Sequence, residues 1–249
     1  MKNKIMTHVI AGYPTEIQCI KLLFSMQAAG VFAIEVQIPF SDPNADGPTI
    51  MKANDIALGN AMTTRKSFEL IHRSREKGLT TPIYIMSYAN KLFNFGIKNF
   101  CQESKRCHVT GLIIPDLPFD SPEYQELLTT CLDFGIELVP VLSPGMAPSR
   151  LNKYDINHQA LLYLTSTRGI TGKELAINTE LLKLVKKIRS ISSAQLALGF
   201  GIRTPKDVEK ALKIADIAVI GSGVIEVIQT GGIVGANNYI KQLTGSTTS

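Results

Sequence analysis

The feature that most constrains the fold is a regular alternation of short apolar runs with segments of helical period. Runs rich in Val, Ile and Leu recur eight times, each followed by a turn and a helix-like pattern. Apolar strands that each lead into a helix predict parallel strands joined by right-handed crossovers. The predicted strands cover 7–11, 33–38, 82–87, 111–115, 137–142, 160–165, 196–200 and 217–221.

Eight such units predict a closed (β/α)8 TIM barrel of the α/β class more naturally than an open sheet, and a doubly wound parallel sheet is the alternative. The length of 249 residues suits a single barrel of about 250 residues, so we expect one domain over 1–249. Cap residues predict two of the helices. Thr15 caps a helix over 15–29, while Ser121 and Gly135 bound a helix over 122–134.

Composition and charge argue against several functional classes. No apolar run reaches the roughly 18 residues needed to span a bilayer, and the first residues lack the pattern of a signal peptide. We therefore expect a cytoplasmic protein with no membrane contact. The net charge of +5 arises from dispersed Lys and Arg, which mildly favours anionic ligands but argues against nucleic acid.

The cysteines and histidines predict neither a disulfide nor a metal site. No two cysteines form a CxxC pair, and all four fall in predicted helices, so we expect reduced, half-buried thiols. The histidines form no ligand-spaced set with the Cys107-His108 pair, so no metal is expected. The cysteines are Cys19, Cys101, Cys107 and Cys131.

The stretch 33–50, AIEVQIPFSDPNADGPTI, places acids where a barrel would keep its active site. Glu35 lies inside an apolar run, where an unpaired charge is costly, so we expect it to have a partner or to face a cleft. Asp42 and Asp46 follow on a loop rich in Pro and Gly. A strand acid and a loop acid suit proton transfer at two points of one substrate. The structural alternative is a rim acid followed by Asp-Pro and Asp-Gly turns.

Glycine clusters follow the last two predicted strands. GFGI at 199–202 and IGSG at 220–223 present bare backbone N–H groups, and the second opens a short predicted helix over 224–228. Because barrels of this class bind phosphate after their last two strands, the clusters predict a phosphate site. The alternative is that they only form tight turns. The polar run STRGITG at 166–172 is a candidate lid.

These motifs together resemble the α subunit of tryptophan synthase over nearly the whole chain. The most specific segment is PFSDPNADGPTI at 39–50. The resemblance implies cleavage of indole-3-glycerol phosphate to indole and glyceraldehyde 3-phosphate, a retro-aldol reaction that needs no cofactor in this chain. Further matching segments are AGYP at 11–14, YAN at 88–90, IIPDLP at 113–118, GITG at 169–172, GFGI and IGSG.

The resemblance also implies roles for the matching residues. Glu35 is expected to act as general acid/base, and Asp46 to accept the ring N–H of the indole. Tyr88 and Tyr163 are expected to lie near the substrate, and Thr171 to reach the loop aspartate from the closed lid. The residues expected at the phosphate are Gly172, Phe200, Gly201, Gly221 and Ser222.

A partner is implied as well, namely the β subunit of tryptophan synthase in an α2β2 heterotetramer. That subunit would carry pyridoxal phosphate and receive indole through a tunnel. The residues matching the face toward it are Asp42, Pro43, Asn90 and Pro118.

Four departures from the family pattern surround the expected pocket. His8 replaces a residue that is usually Phe, and Gln37 stands where Gly is usual. Asn44 replaces an apolar loop residue, and Arg168 adds a charge to the lid. A polar group against an indole ring needs a partner, so these changes predict binding weaker by about 1–3 kcal/mol unless they are neutral drift.

Three hypotheses follow from these observations. The first is an active lyase that uses Glu35 and Asp46. The second is a catalytically weak subunit that binds and activates its β partner. The third is another phosphate-binding barrel, such as a sugar-phosphate isomerase, which rests on the generic phosphate site alone.

Overall fold

The computed structural model describes residues 4–118, 121–146, 151, 159–166, 177–199 and 201–245. Within these ranges nine parallel strands form one sheet. The strands are β1 (Ile5–Ile10), β2 (Ala33–Gln37), β3 (Ile83–Met86), β4 (Gly111–Ile113), β5 (Glu137–Val139), β6 (Val141–Leu142), β7 (Leu161–Thr165), β8 (Gln195–Gly199) and β9 (Ile217–Ile220). The helices are α1 (Glu16–Ala28), α2 (Pro48–Gly59), α3 (Thr64–Glu76), α4 (Ala89–Phe95), α5 (Ile97–Arg106), α6 (Pro122–Phe134), α7 (Thr179–Arg189), α8 (Pro205–Ala211) and α9 (Ser222–Thr244).

The sheet closes into a barrel through a strand that is interrupted at Pro140. The order of strands runs from β5 through β4, β3, β2, β1, β9, β8 and β7 to β6. Proline has no N–H for the ladder, so β5 and β6 are one strand with a break between them. The carbonyl of Pro140 still accepts the N–H of Tyr163, at 3.0 Å. The eight predicted strands and the TIM barrel are therefore confirmed, and the open doubly wound sheet is wrong.

Local signals set the helix ends as predicted. Thr15 caps α1 by accepting the N–H of Gln18. Ser121 caps α6 by accepting the N–H of Tyr124, and Gly135 ends this helix with φ 68°. A left-handed φ of this kind costs glycine little, which explains why the helix ends there.

The prediction for the helix after β9 was incomplete. This helix begins at Ser222 rather than at 224 and reaches Thr244, with a non-helical Gly232 inside. Between β2 and β3 the chain forms two helices, α2 and α3. Among the described residues, no helix is both long and apolar enough to cross a membrane.

Alternation along the strands separates two layers of core. One set of side chains fills the barrel, including Met6, Ala33 and Tyr84, and the other set packs against the helices. All four cysteines belong to the buried interior, which corrects the expectation of half-buried thiols. Cys107 also follows α5 as its cap instead of lying within the helix.

Candidate active site

The register of the first two strands brings a histidine against the strand acid. His8 on β1 pairs with Glu35 on β2, so their side chains point to the same face, into the barrel. The Nδ1 atom of His8 lies 3.1 Å from Oε1 of Glu35, and each residue is only 4% exposed. The expectation that Glu35 needs a partner or a cleft is met on both counts, because it also lines a cavity.

The loop acid is held by two side chains, one at the end of β2 and one at the start of α4. Asp46 Oδ2 accepts Nε2–H of Gln37 at 2.7 Å and the hydroxyl of Tyr88 at 3.0 Å. The Tyr88 oxygen in turn accepts the N–H of Ala45 at 3.1 Å, which ties it to the loop itself. Asp46 is 4% exposed, so these bonds replace water and fix the direction of the carboxylate.

A buried asparagine anchors the base of the same loop. Oδ1 of Asn54 on α2 accepts the N–H of Phe40 at 3.0 Å and lies 3.4 Å from Nε2 of Gln37. Its Nδ2 donates to the carbonyl of Ile50 at 3.0 Å. Asn54 therefore links the end of β2, the loop and the first turns of α2.

The environment raises the pKa of three groups in this cluster. Burial by itself lowers the pKa of His8, but the Glu35 carboxylate, its hydrogen bond and Asp46 raise it above the ordinary value of 6.5. Burial raises the pKa of Asp46. His8 and the hydrogen bonds from Gln37 and Tyr88 lower it, but the net shift is upward. Burial and the two acids raise the pKa of Tyr163 well above its ordinary value, so the phenol stays neutral.

A cavity of about 400 Å³ joins these groups to the ends of the last strands. Its size lies in the range of small-molecule sites, and it opens where the strands of such barrels carry their active sites. The cavity wall includes His8, Glu35, Asp46, Ile50, Asp116, Pro118, Tyr124, Tyr163, Gly201, Gly221 and Ser222.

The glycine clusters lie on this cavity. Gly201 has φ +83°, which explains a glycine there. Gly221 differs, because a Cβ atom at this position would meet only ordinary contacts, the nearest being Cβ of His8 at 3.7 Å. Packing within the chain thus does not demand glycine at 221, and the bare backbone leaves space beside the start of α9. Ser222 begins that helix, where N–H groups and partial positive charge favour an anion.

Close packing holds the two glycine segments together. A Cβ atom at Gly223 would lie 2.4 Å from the hydroxyl oxygen of Tyr239. This hydroxyl donates to the carbonyl of Arg203 at 2.6 Å. The second half of α9 is therefore tied to the loop that follows β8.

Glycine also makes room for the tyrosine of β7. A Cβ atom at Gly199 would lie 2.5 Å from the hydroxyl oxygen of Tyr163. The ring can therefore lie across the neighbouring strand β8 and approach the two acids. Tyr163 lines the cavity, as expected of a residue near the substrate.

The structure places the other predicted residues unevenly. Tyr88 is fully buried behind Asp46 and does not form part of the cavity wall. Of the residues expected at the partner interface, Asp42, Asn90 and Pro118 are exposed, whereas Pro43 is buried. Asn44, among the departures, is exposed as well. The predictions for Arg168, Thr171, Gly172 and Phe200 lie outside the described residues.

The sequence did not predict the contacts that His8 and Gln37 make. His8 contacts Glu35, and Gln37 contacts Asp46, so the two unusual side chains serve the two acids. A signal for the first contact was present, because consecutive strands of a βαβ unit are neighbours and both residues lie in alternating runs. The register that sets them opposite one another was not readable from the pattern. Asn54 gave no signal beyond a polar residue in an amphipathic helix.

Fold and site together define a TIM-barrel protein with a buried acid/base cluster at the carboxyl ends of its strands. A family model described as "Tryptophan synthase alpha chain" matches residues 1–246. The chain belongs to the tryptophan synthase alpha chain family.

Individual relatives agree with this membership. The chain is 36% identical to the tryptophan synthase alpha chain of Lactiplantibacillus plantarum, over 89% of this chain and 83% of the relative. It is 34% identical to a tryptophan synthase of Saccharomyces cerevisiae over 90% of this chain, yet it spans only 32% of that longer protein. The solved tryptophan synthase subunit alpha of Campylobacter jejuni superimposes with a TM-score of 0.85 at 27% identity, covering 97% of this chain and 96% of that chain.

Proposed function

We propose that this protein is a lyase that cleaves indole-3-glycerol phosphate to indole and glyceraldehyde 3-phosphate in tryptophan biosynthesis. The observation that carries the proposal is the meeting of Glu35, Asp46 and the glycine-bordered start of α9 on one cavity. Family membership indicates the substrate. The cavity supplies groups suited to the indole ring, to the carbon–carbon bond that breaks and to the phosphate of that substrate.

The arrangement supports a division of labour along the substrate. The phosphate binds the N–H groups at Gly201, Gly221 and Ser222, which fixes the glycerol chain. Asp46, held by Gln37 and Tyr88, accepts the ring N–H and stabilises the positive charge that develops on the nitrogen. Glu35 delivers a proton to indole C3 and takes one from the glycerol hydroxyl as the carbon–carbon bond breaks.

The same geometry supports a second candidate function. Each of the two acids already has a polar side chain of this chain as a partner, Glu35 through His8 and Asp46 through Gln37. Such partners can compete with an indole ring for the carboxylates. A subunit that cleaves weakly but binds and activates a β subunit would fit this observation.

The proposal includes the assembly in which the chain works. The single barrel domain pairs with the β subunit of tryptophan synthase in an α2β2 heterotetramer in the cytoplasm, using the exposed Asp42, Asn90 and Pro118. Pyridoxal phosphate belongs to that partner, and the retro-aldol step in this chain proceeds on acid and base groups alone. Pro118 also lines the cavity, so a tunnel to the partner would begin near it.

The experiment that tests the proposal measures glyceraldehyde 3-phosphate released from indole-3-glycerol phosphate by the purified chain, alone and saturated with its β subunit. Formation of tryptophan from indole and serine is followed in parallel. Cleavage that rises in the complex supports the lyase. Stimulated β activity without cleavage supports the second candidate, and neither response contradicts both.

A further inference from the structure

The His8–Glu35 pair differs from an ordinary buried ion pair because each member keeps one polar atom unused. Nδ1 and Oε1 meet at 3.1 Å, whereas Nε2 of His8 and Oε2 of Glu35 are buried and make no hydrogen bond of ordinary geometry among the described residues, although Tyr163 approaches Glu35 and Gln37 approaches His8. Buried polar atoms are normally satisfied, and exceptions are frequent where chemistry takes place. Both residues line the cavity, so the two unused atoms belong to the site wall.

The position of His8 gives its proton a use. His8 lies between Glu35 on β2 and the end of β9, where its Cβ atom would be 3.7 Å from a Cβ built on Gly221. It therefore borders both the strand acid and the segment proposed to bind phosphate. An imidazole in this position can hold a proton for the carboxylate and place positive charge near an anionic substrate.

We propose that His8 is a positioning residue that shares one proton with Glu35 and keeps the carboxyl group ready to act as an acid. The inference rests on the proposed lyase function and deepens it. His8 orients Oε1 through Nδ1, which leaves Oε2 of Glu35 directed to the chemistry. The pair then works as one acid/base unit rather than as a lone carboxylate.

The proton balance of the cycle closes within this pair. One proton leaves the Glu35 carboxyl for indole C3, and the resulting carboxylate is stabilised by Nδ1–H of His8. As the carbon–carbon bond breaks, Glu35 takes one proton from the glycerol hydroxyl, whose oxygen becomes the aldehyde. The pair ends each turnover with the proton count with which it began.

Among the described residues, the charged groups that act on His8 come from two places. Glu35 acts from β2, and Asp46 acts from the loop that follows it, while the amide of Gln37 adds a polar contact. The neutral phenol of Tyr163 on β7 faces the same two acids. β1 itself contributes no other titratable group, because its sequence is IMTHVI.

The test begins with a titration that does not depend on catalysis. The four histidines are followed by NMR as the pH is changed, and the signal of His8 is assigned with His8→Asn. We expect His8 to titrate above 6.5 in the native protein. In Glu35→Gln the burial effect remains while the carboxylate is lost, so the His8 titration should move to lower pH. A titration of His8 that Glu35→Gln leaves unchanged overturns the proposal.

Kinetics then test whether the shared proton is used. The kcat of the native enzyme should fall as the pH rises through the titration of His8. In His8→Asn, which can still donate a hydrogen bond, and in His8→Phe, this limb should move to lower pH, with kcat lower by about tenfold or more above it. The control His72→Asn removes the imidazole of the partly exposed His72–Glu76 pair, which lies outside the cavity, and should leave the profile unchanged.

The outcomes distinguish a failure of the His8 role from a failure of the proposed lyase function. Coincident alkaline limbs for native protein, His8→Asn and His8→Phe overturn the role of His8, even if cleavage is fast. If the native protein and its β complex release no glyceraldehyde 3-phosphate, the proposed lyase function fails. The NMR titration then still decides whether His8 and Glu35 share a proton.

Discussion

Two acids on barrel strands, Glu35 and Glu137, occupy opposite ends of the same interior and are used in different ways. Glu137 begins β5 at the amino end, where its Oε1 accepts the N–H of Leu161 at 2.7 Å and its Oε2 lies 3.5 Å from the hydroxyl of Tyr84. Both oxygens thus have partners. Glu35, nearer the mouth, has a histidine on Oε1, while its Oε2 makes no hydrogen bond of ordinary geometry among the described residues and the Tyr163 hydroxyl only approaches the carboxylate.

The difference teaches how to tell a structural acid from a chemical one in such a barrel. At the floor, Glu137 closes the ladder between strands, and Gly111 leaves room for the Tyr84 ring, because a Cβ atom there would lie 2.9 Å from it. At the mouth, Glu35 keeps an oxygen without a hydrogen bond of ordinary geometry beside a cavity. Satisfied hydrogen bonds contribute stability, whereas an unsatisfied buried oxygen has a cost that function must justify.

The strongest test of this comparison is Glu35→Gln. We expect cleavage to fall by about 10²- to 10⁴-fold because the general acid/base is lost, while fold and partner binding are kept. The matched control is Glu137→Gln, which should retain most of the cleavage. Turnover by Glu35→Gln that equals the native rate would show that the mouth acid does no chemistry.

The opposite half of the comparison is tested by Glu137→Ala. This change leaves the buried N–H of Leu161 without its acceptor and should lower the free energy of unfolding by about 1–3 kcal/mol. Glu137→Gln keeps an oxygen for that N–H and should lose less. Denaturant melts provide the measurement, and a larger loss in Glu35→Gln than in Glu137→Ala would reverse the assignment.

Ser222→Glu asks whether the mouth is an anion site. A carboxylate at a helix start suits the helix itself, so the fold should be kept. Like-charge repulsion should nevertheless weaken the binding of glycerol phosphate by about tenfold, that is by about 1.4 kcal/mol. Calorimetry with native protein and with Ser222→Ala as the neutral control checks this. Unchanged affinity in Ser222→Glu would place the phosphate elsewhere.

The fold was predictable because apolar strand runs, helical periods and cap residues are local features of the sequence. All eight strands and both quoted helices appeared where apolar runs and cap residues placed them, and α6 has the predicted bounds. The meeting of Glu35 and Asp46 on one cavity also followed from the rule that strand ends converge.

What the pattern could not supply was pairing across elements. That His8 meets Glu35 depends on register, and that Tyr88 lies behind Asp46 instead of at the cavity depends on side-chain direction. Neither property is periodic, so a sequence indicates only that such polar residues need partners. The break at Pro140 is a local effect, because proline has no N–H for the ladder, but the bond from the Tyr163 N–H to its carbonyl depends on pairing between distant strands.

Tyr88→Phe tests the holding of Asp46. The hydroxyl bonds both the Asp46 carboxylate and the N–H of Ala45, so its removal should lower kcat/KM several-fold, equivalent to about 1 kcal/mol. Because Tyr88 does not line the cavity, the substitution should leave the shape of the cavity, and so the size of substrate that it accepts, unchanged. Steady-state kinetics measure it, and an unchanged kcat/KM would show that Gln37 alone holds the acid.

The smallest expected effect is on the pH dependence of stability, and it separates the two ends. The pKa of His8 is raised in the fold, so its contribution is fully present below 6.5 and is lost as the pH rises through the folded value. Burial raises the pKa of Glu137, so the folded state binds more protons than the unfolded chain, and stability falls as the pH rises from 4.5 toward the folded value. In Glu35→Gln, the free energy of unfolding should depend less on pH above 6.5, where His8 titrates in the native protein.

In Glu137→Gln, the loss of stability as the pH rises from 4.5 should become smaller. It should not disappear, because burial also raises the pKa of Asp46 and Asp116. Unfolding free energies measured in denaturant between about pH 4 and pH 9 check both windows. If Glu35→Gln changed the pH dependence of stability only at low pH and Glu137→Gln only at high pH, the two acids would have exchanged roles.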